Sequence, residues 1–137
     1  STRYKVPFSV ILLDIDKFKH INDNYGHDVG DKTLIAFAII LSSHVRDSDF
    51  VGRWGGDEFL IICPETDQSG VVKLAENIRE QVVAYNFKVI GNSSSSFGTS
   101  TFQVGDKIDT MIKRADKALL YVKKSGRNQV ENGELIS

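Results

Sequence analysis

Phe50-Val51-Gly52-Arg53-Trp54-Gly55-Gly56-Asp57-Glu58-Phe59-Leu60-Ile61-Ile62-Cys63 sets two apolar and aromatic runs on either side of a Gly-Gly pair. That is a β-hairpin pattern, because adjacent glycines can both take the positive φ that a tight primed turn requires. Asp57 and Glu58 then stand side by side at the hairpin tip. Gly55 and Gly56 carry no side chains, so a large ligand could lie against the backbone there. Two acids beside bare backbone fit a metal and a polyphosphate. Taken alone, the same tip is more often a solvated turn, and the rest of the chain has to decide.

Moving outward, Phe8 to Ile15 is almost continuously apolar and β-branched and reads as a central strand covered on both faces. Asp14 interrupts it near its C-terminal end, where ligands bind in open α/β sheets. Its plain alternative is an Asp that starts a turn. Asp16 to Asp31 is polar and irregular, with a short helical turn expected around Lys17 to Ile21 and a Gly-marked loop after it. A helix is predicted from about Gly30 to Val45, its stripe made by Leu34, Phe37, Ala38, Leu41 and Val45. Arg46-Asp47-Ser48-Asp49 ends it, the hairpin follows, and Pro64 closes the second strand. Asp67 or Ser69 can cap a helix to about Ala84, with Val71, Ala75, Ile78 and Val82 inward. Phe87 to Ile90 and Ser94 to Phe102 read as strands around Gly91-Asn92. A last helix spans roughly Ile108 to Ser125 until Gly126 stops it, and Asn128 to Val130 adds a final strand. Helices alternating with strands, plus one hairpin, give an α/β domain with a mixed sheet.

The 137 residues fit one domain, 1–137, with room for a real core. Hydrophobic content of 41% and charged content of 26% are those of an ordinary globular chain. The single cysteine, Cys63, rules out an internal disulfide and a cysteine zinc cage and lies in an apolar strand. With no apolar run near the ~20 residues a bilayer requires, a cytoplasmic domain without membrane contact is expected. The chain opens on Ser1-Thr2-Arg3-Tyr4 and reaches a strand by Phe8, as expected of a domain cut from a longer protein. A net charge of −1 gives no bulk attraction to nucleic acid. Locally, residues 14 to 31 hold five Asp against two Lys, and residues 113 to 127 carry a balance of +5. An acidic patch for cations and a basic one for phosphates could share one site; two solvated faces are the commoner reading.

The common phosphate cradles, G-x-x-x-x-G-K-[ST] and G-x-G-x-x-G, are absent, and His20, His27 and His44 lack metal-ligand spacing. If the hairpin lies beside the first strand, Asp14, Asp57 and Glu58 converge. Three carboxylates so placed would raise one another's pKa, and oxygen-only ligands favour Mg²⁺ or Mn²⁺. Lys123 and Arg127 stand i, i+4 and could both face one phosphate chain. This set of groups describes metal-assisted phosphoryl or nucleotidyl transfer.

These residues carry a family resemblance. Arg53-Trp54-Gly55-Gly56-Asp57-Glu58-Phe59 matches the motif that names the GGDEF family of diguanylate cyclases. Asp14-Ile15-Asp16-Lys17-Phe18-Lys19, Asn22-Asp23, Tyr25-Gly26-His27 and Gly30-Asp31 resemble its first motif, and Ala115 to Leu119 with Lys123 to Asn128 its C-terminal one. The resemblance runs from about Phe8 to Val130. It implies a five-stranded, mostly antiparallel central sheet surrounded by helices, similar to adenylyl cyclase catalytic domains and polymerase palms. It implies condensation of two GTP into cyclic di-GMP with release of two pyrophosphates, in the presence of Mg²⁺ or Mn²⁺. The metal would be held by Asp14, the Ile15 carbonyl, Asp57 and Glu58, with Asp57 as base for the 3′-hydroxyl and Glu58 supporting. Phe18, Lys19, Lys123 and Arg127 would lie along the phosphates, with Lys19 also in the catalytic set. Asn22 and Asp31 would read the guanine edge, while Gly55 and Gly56 leave room for the nucleotide. Each GTP must present its 3′-hydroxyl to the other's α-phosphate, so a homodimer follows from the chemistry.

Arg46-Asp47-Ser48-Asp49 matches the family's R-x-x-D inhibitory site for cyclic di-GMP, with Arg79 as a second contact; the plain alternative is a helix-ending salt bridge. Leu120 and Val122 replace a usual Tyr and Ala at packing positions. The usual Asp-x-Leu-Thr-Gly-Leu-x-Asn-Arg preamble is missing ahead of Ser1, as expected of a domain separated from its sensor or regulatory partner. The alternative function is a non-catalytic module that binds GTP or cyclic di-GMP. Such readers usually have a degraded hairpin motif, and here it is intact.

Overall fold

The computed structural model describes residues 6–135, so the opening Ser1 to Tyr4 lie outside the described residues. Five strands form one sheet in the order β2-β3-β1-β4-β5. β1 (Phe8–Ile15) pairs antiparallel with β3 (Glu58–Pro64) on one side and β4 (Ser95–Thr101) on the other. β2 (Phe50–Gly55) runs antiparallel to β3 at one edge, and β5 (Val130–Asn132) lies parallel to β4 at the other. The sheet is therefore mixed and mostly antiparallel, and the apolar run at its centre is covered on both faces as expected.

Alternation along β1 sorts its side chains between two layers. Ile11, Leu13 and Ile15 face α2 (His27–His44) and α3 (Gln68–Ala84), meeting Leu34, Phe37 and Leu41 of the first and Val71, Ala75, Ile78 and Val82 of the second. Val10 and Leu12 face α4 (Ile108–Lys124), packing with Leu60, Met111, Ala115 and Leu119. α4 can lie this close because β4 offers Gly98; a Cβ there would stand 2.6 Å from the Leu119 amide nitrogen and closer still to the Ala115 carbonyl oxygen.

Three boundaries depart from expectation. The polar stretch after β1 forms a full helix, α1 (Phe18–Tyr25), and α2 begins at His27, ahead of Gly30. Gly26 makes this possible: at φ 89 it donates to Asn22 O and lets the chain re-enter a helix at once. Phe87 to Ile90 is a turn, not a strand. Phe87 and Gly91 exchange backbone hydrogen bonds of 2.9 and 2.7 Å, with Gly91 at φ 77, so the segment closes on itself. The last strand starts at Val130, because Arg127 and Asn128 take left-handed φ values of 65 and 52 and turn the chain first. Of the two candidate caps, Asp67 and Ser69, it is Asp67 that caps α3, accepting from Gly70 N at 2.7 Å. No helix among the described residues is long and apolar enough to cross a membrane.

Candidate active site

The β1–β3 register places Asp14 directly opposite Glu58. Paired residues in adjacent strands share a face, and this is the α4 face, since Leu12 and Leu60 lie on it. The last turn of α4 brings Lys123 over the same spot, where its Nζ donates to Asp14 Oδ2 at 2.5 Å. Asp14 is buried, and its Oδ1 has no hydrogen-bond partner. Burial is the main reason its carboxyl is pushed up to about 6; the charges of Asp57 and Asp16 add to the rise and the Lys123 hydrogen bond opposes it. Glu58 is also raised, first by burial and then by the charges of Asp116 and Asp57, which together outweigh Lys123. Burial lowers the Lys123 ammonium's pKa, but its bond to Asp14 and the charges of Asp14, Glu58 and Asp57 prevail and raise it.

At the hairpin tip the glycines do not act as the sequence implies. Neither Gly55 nor Gly56 takes a positive φ. The pairing instead shifts between Arg53 and Gly55, a bulge at Trp54, which lets the chain turn through Gly56 and Asp57. Arg53 secures the turn by donating to Gly56 O from Nε at 2.9 Å and again from its terminal nitrogen. A Cβ on Gly56 would touch nothing within 4 Å, and one on Gly55 only Glu58 Oε1 at 3.7 Å. The glycines provide open space above the turn rather than unusual backbone angles.

The three acids are neighbours, yet no group of three His, Cys, Asp or Glu side chains among the described residues is gathered tightly enough to hold an ion unaided. The Lys123 ammonium already occupies Asp14 Oδ2. The donor set nevertheless fits a hard divalent cation. It offers an orphaned buried carboxylate oxygen on Asp14 beside Asp57, and Mg²⁺ is commonly held by one or two carboxylates plus substrate phosphates.

Two sets of expected binding residues flank this centre. α1 starts at Phe18 behind Lys17, which has φ 57 and gives no side-chain cap, so the first amides of the helix lack a side-chain partner. Phe18 packs on the core, and Lys19 is exposed. Asn22 lies on Gly30 of α2, where any Cβ would collide with its amide oxygen; that oxygen is buried without a partner. Asp31 is exposed next to Gly30. Gly30 thus lets α1 and α2 approach until Asn22 and Asp31 border one seam.

Arg127 corrects one expectation. α4 ends at Lys124, so i, i+4 helical geometry does not reach Arg127. Beyond Gly126, at φ 116, Arg127 lines a cleft of about 530 Å³ that it shares with Asp16, Lys17, His20, Asn24 and Ser94. Asp16, to which the sequence assigned no role, is buried and organises this region. It accepts from Ser94 Oγ (2.6 Å), Ser96 Oγ (2.5 Å) and the Asn128 amide (3.1 Å). The only sequence signal for it is a second Asp two places beyond Asp14.

Arg46 and Asp49 sit at the far end of the hairpin, one strand length (about 20 Å) from the tip. They form the salt bridge that was the plain alternative, Arg46 Nη2 to Asp49 Oδ1 at 2.9 Å, and Arg46 also donates to Pro64 O (2.5 Å) and Thr66 Oγ1 (2.6 Å). The Arg46 side chain is still 51% exposed. Arg79 bonds to Glu76 (2.6 Å) and to Asn128 Oδ1 (3.2 Å), and to neither Arg46 nor Asp49.

Residues 1–129 match the family described as "Diguanylate cyclase, GGDEF domain". The chain is 42% identical over 123 residues to diguanylate cyclase DgcM of Escherichia coli K12, covering 90% of this chain and 30% of that protein. It is 43% identical over 130 residues to response regulator PleD of Caulobacter vibrioides, covering 90% and 29%. It therefore spans about three tenths of the length of these curated relatives. Among solved structures, it superposes on the active GGEEF domain of a diguanylate cyclase from Vibrio cholerae with TM-score 0.90 at 37% identity, over 96% of this chain and 85% of that one. The GGDEF domain of DgcB from Caulobacter crescentus, solved in complex with c-di-GMP, gives TM-score 0.91 at 31% identity, over 96% and 81%.

Proposed function

The chain belongs to the GGDEF family of diguanylate cyclase domains, and from that membership we propose that it joins two GTP molecules into cyclic di-GMP, releasing two pyrophosphates. The observation that carries the reading is the pairing of Asp14 with Glu58 beneath Lys123, with Asp57 adjacent at an open turn.

In this reading Asp14, the Ile15 carbonyl and Asp57 hold Mg²⁺ or Mn²⁺, with Glu58 in support. The cation supplies charge neutralisation at the phosphates. Asp57 accepts the proton of the 3′-hydroxyl as that oxygen attacks the α-phosphate of the facing GTP. Lys19, Lys123 and Arg127 carry the triphosphate charge, and Phe18 sets the wall beside it. Asn22 and Asp31 read the guanine edge, Asp31 accepting from N1–H and the 2-amino group, which adenine does not offer. Two half-sites must face one another, so a homodimer performs the reaction. Arg46 and Asp49 hold the product as a feedback ligand; the exposed guanidinium supports this, and Arg79 is the second contact. The input comes from a sensor or regulatory domain in the longer protein, and the domain itself works in the cytoplasm.

GTP with Mg²⁺ is expected to give cyclic di-GMP identified by mass, and Asp57→Asn to lower turnover at least ~100-fold with an unchanged circular dichroism spectrum. Unaltered turnover in Asp57→Asn would overturn the assignment of the base. Absence of product at high protein concentration would overturn the catalytic reading itself.

A further inference from the structure

We propose that Lys123 is a resident counter-ion for Asp14 that the incoming triphosphate must draw away before the divalent cation can bind, so that cation and nucleotide load together. The inference rests on the proposed GTP chemistry, and it assigns Lys123 a second role that is exercised before any nucleotide arrives.

The geometry carries the argument. Lys123 Nζ lies 2.5 Å from Asp14 Oδ2, where the Asp14 side chain is 4% exposed and that of Lys123 27%. A Mg²⁺ ion bound to this carboxylate would sit at about 2.1 Å, and an ammonium and a dication cannot share so small a space without strong repulsion. The other oxygen, Oδ1, is buried and has no partner, so it awaits a ligand that the ammonium does not provide. Asp57 and Glu58 alone make no closed cage, and no three acidic or imidazole groups among the described residues do so either. A bare cation therefore meets one carboxylate that already carries an ammonium on Oδ2 and two half-exposed ones.

A triphosphate changes both sides of this balance. It presents several negative oxygens to Lys123, and it gives the cation the extra ligands that the protein lacks. α4 packs closely on β4 at Gly98, where a Cβ would collide with the Ala115 and Leu119 backbone. Only the four-carbon stem of Lys123 needs to swing, a rotamer change of an accessible side chain. The competing view is a static pair in which Lys123 stays on Asp14 throughout.

The test is Mn²⁺ binding without nucleotide, followed by electron paramagnetic resonance, for the wild type, Lys123→Met and Lys123→Gln. The two variants are expected to bind Mn²⁺ at least ten-fold more tightly than the wild type, and addition of Asp14→Asn to either should abolish the gain. Equal affinities in folded variants would overturn the proposal, as would a gain that survives Asp14→Asn. A second measurement uses the wild type alone: the Lys123 Nζ resonance should move with GTP in the presence of EDTA and stay in place with Mg²⁺ alone. The reverse pattern would overturn the exchange. Failure of GTP turnover with the Mn²⁺ result intact would count against the cyclase reading and leave the ion exchange standing.

Discussion

Asp14 and Asp16 lie two residues apart at the end of β1, and their surroundings give them different work. Asp16 has its oxygens filled by Ser94, Ser96 and the Asn128 amide, so it fastens the turn that carries Arg127 to β1 and β4. Asp14 has one oxygen on Lys123 and one free. Buried carboxylates are held by their donors, and removal of a filled one strands them. Asp16→Ala should therefore cost about 3 kcal/mol in urea unfolding and should loosen residues 126–128 in hydrogen exchange. From sequence these two acids look alike, because a filled shell depends on serines eighty positions away. Cys63 is the other residue whose state burial decides. Burial pushes its thiol up to about 12 from an ordinary 9.0, with the Asp49 charge adding to it. Between those values the folded chain keeps a proton that the unfolded chain has released, so this group withdraws stability as pH rises from about 9 to about 12. Iodoacetamide at pH 8.5 should label Cys63 only at the rate of unfolding, and fast labelling of the folded protein would contradict this.

At the scale of elements, β1, the hairpin and α3 were legible because one signal fixed each: an unbroken apolar run, two runs about a turn, and an apolar stripe behind a capping Asp. Phe87 to Ile90 misled because its apolar residues match a short strand, whereas Gly91 and the Asn92 side chain, which donates to Val83 O and Tyr85 O, fold it back. The Gly-Gly pair marks the hairpin, yet its glycines provide space and the bulge at Trp54 provides the turn. Space is also what Gly98 supplies, and here the consequence is measurable. Gly98→Ala sets a methyl group against the Ala115 and Leu119 backbone, so α4 must lift away. The cost is expected at about 3 kcal/mol, and GTP affinity should fall with it as the displaced helix carries Lys123 out of reach of the triphosphate. Gly52→Ala, on the edge strand with nothing within 4 Å, is the matched control and should leave both stability and binding within error.

For the whole molecule, the candidate site was legible as a set of residue types and not as an arrangement. Asp14, Asp57 and Glu58 could be named from the sequence, but their pairing depends on β1–β3 register, and the place of Lys123 depends on how α4 crosses the sheet. The i, i+4 link between Lys123 and Arg127 failed because α4 stops between them. Those groups together form only half of what the proposed reaction needs. In that proposed reaction one chain would activate one 3′-hydroxyl and bind one GTP, and ring closure would require a second attack from the facing copy. A protein whose two half-sites act separately should then be separable by mixing. With wild type held constant and Asp57→Asn added in excess, mixed dimers retain one competent base and form one phosphodiester bond. The product should shift from cyclic di-GMP toward linear pppGpG, in proportion to the mutant fraction, and anion-exchange chromatography resolves the two. If excess Asp57→Asn merely dilutes the activity with no linear product, each bond does not depend on its own Asp57, and the base would have to be sought elsewhere in the dimer.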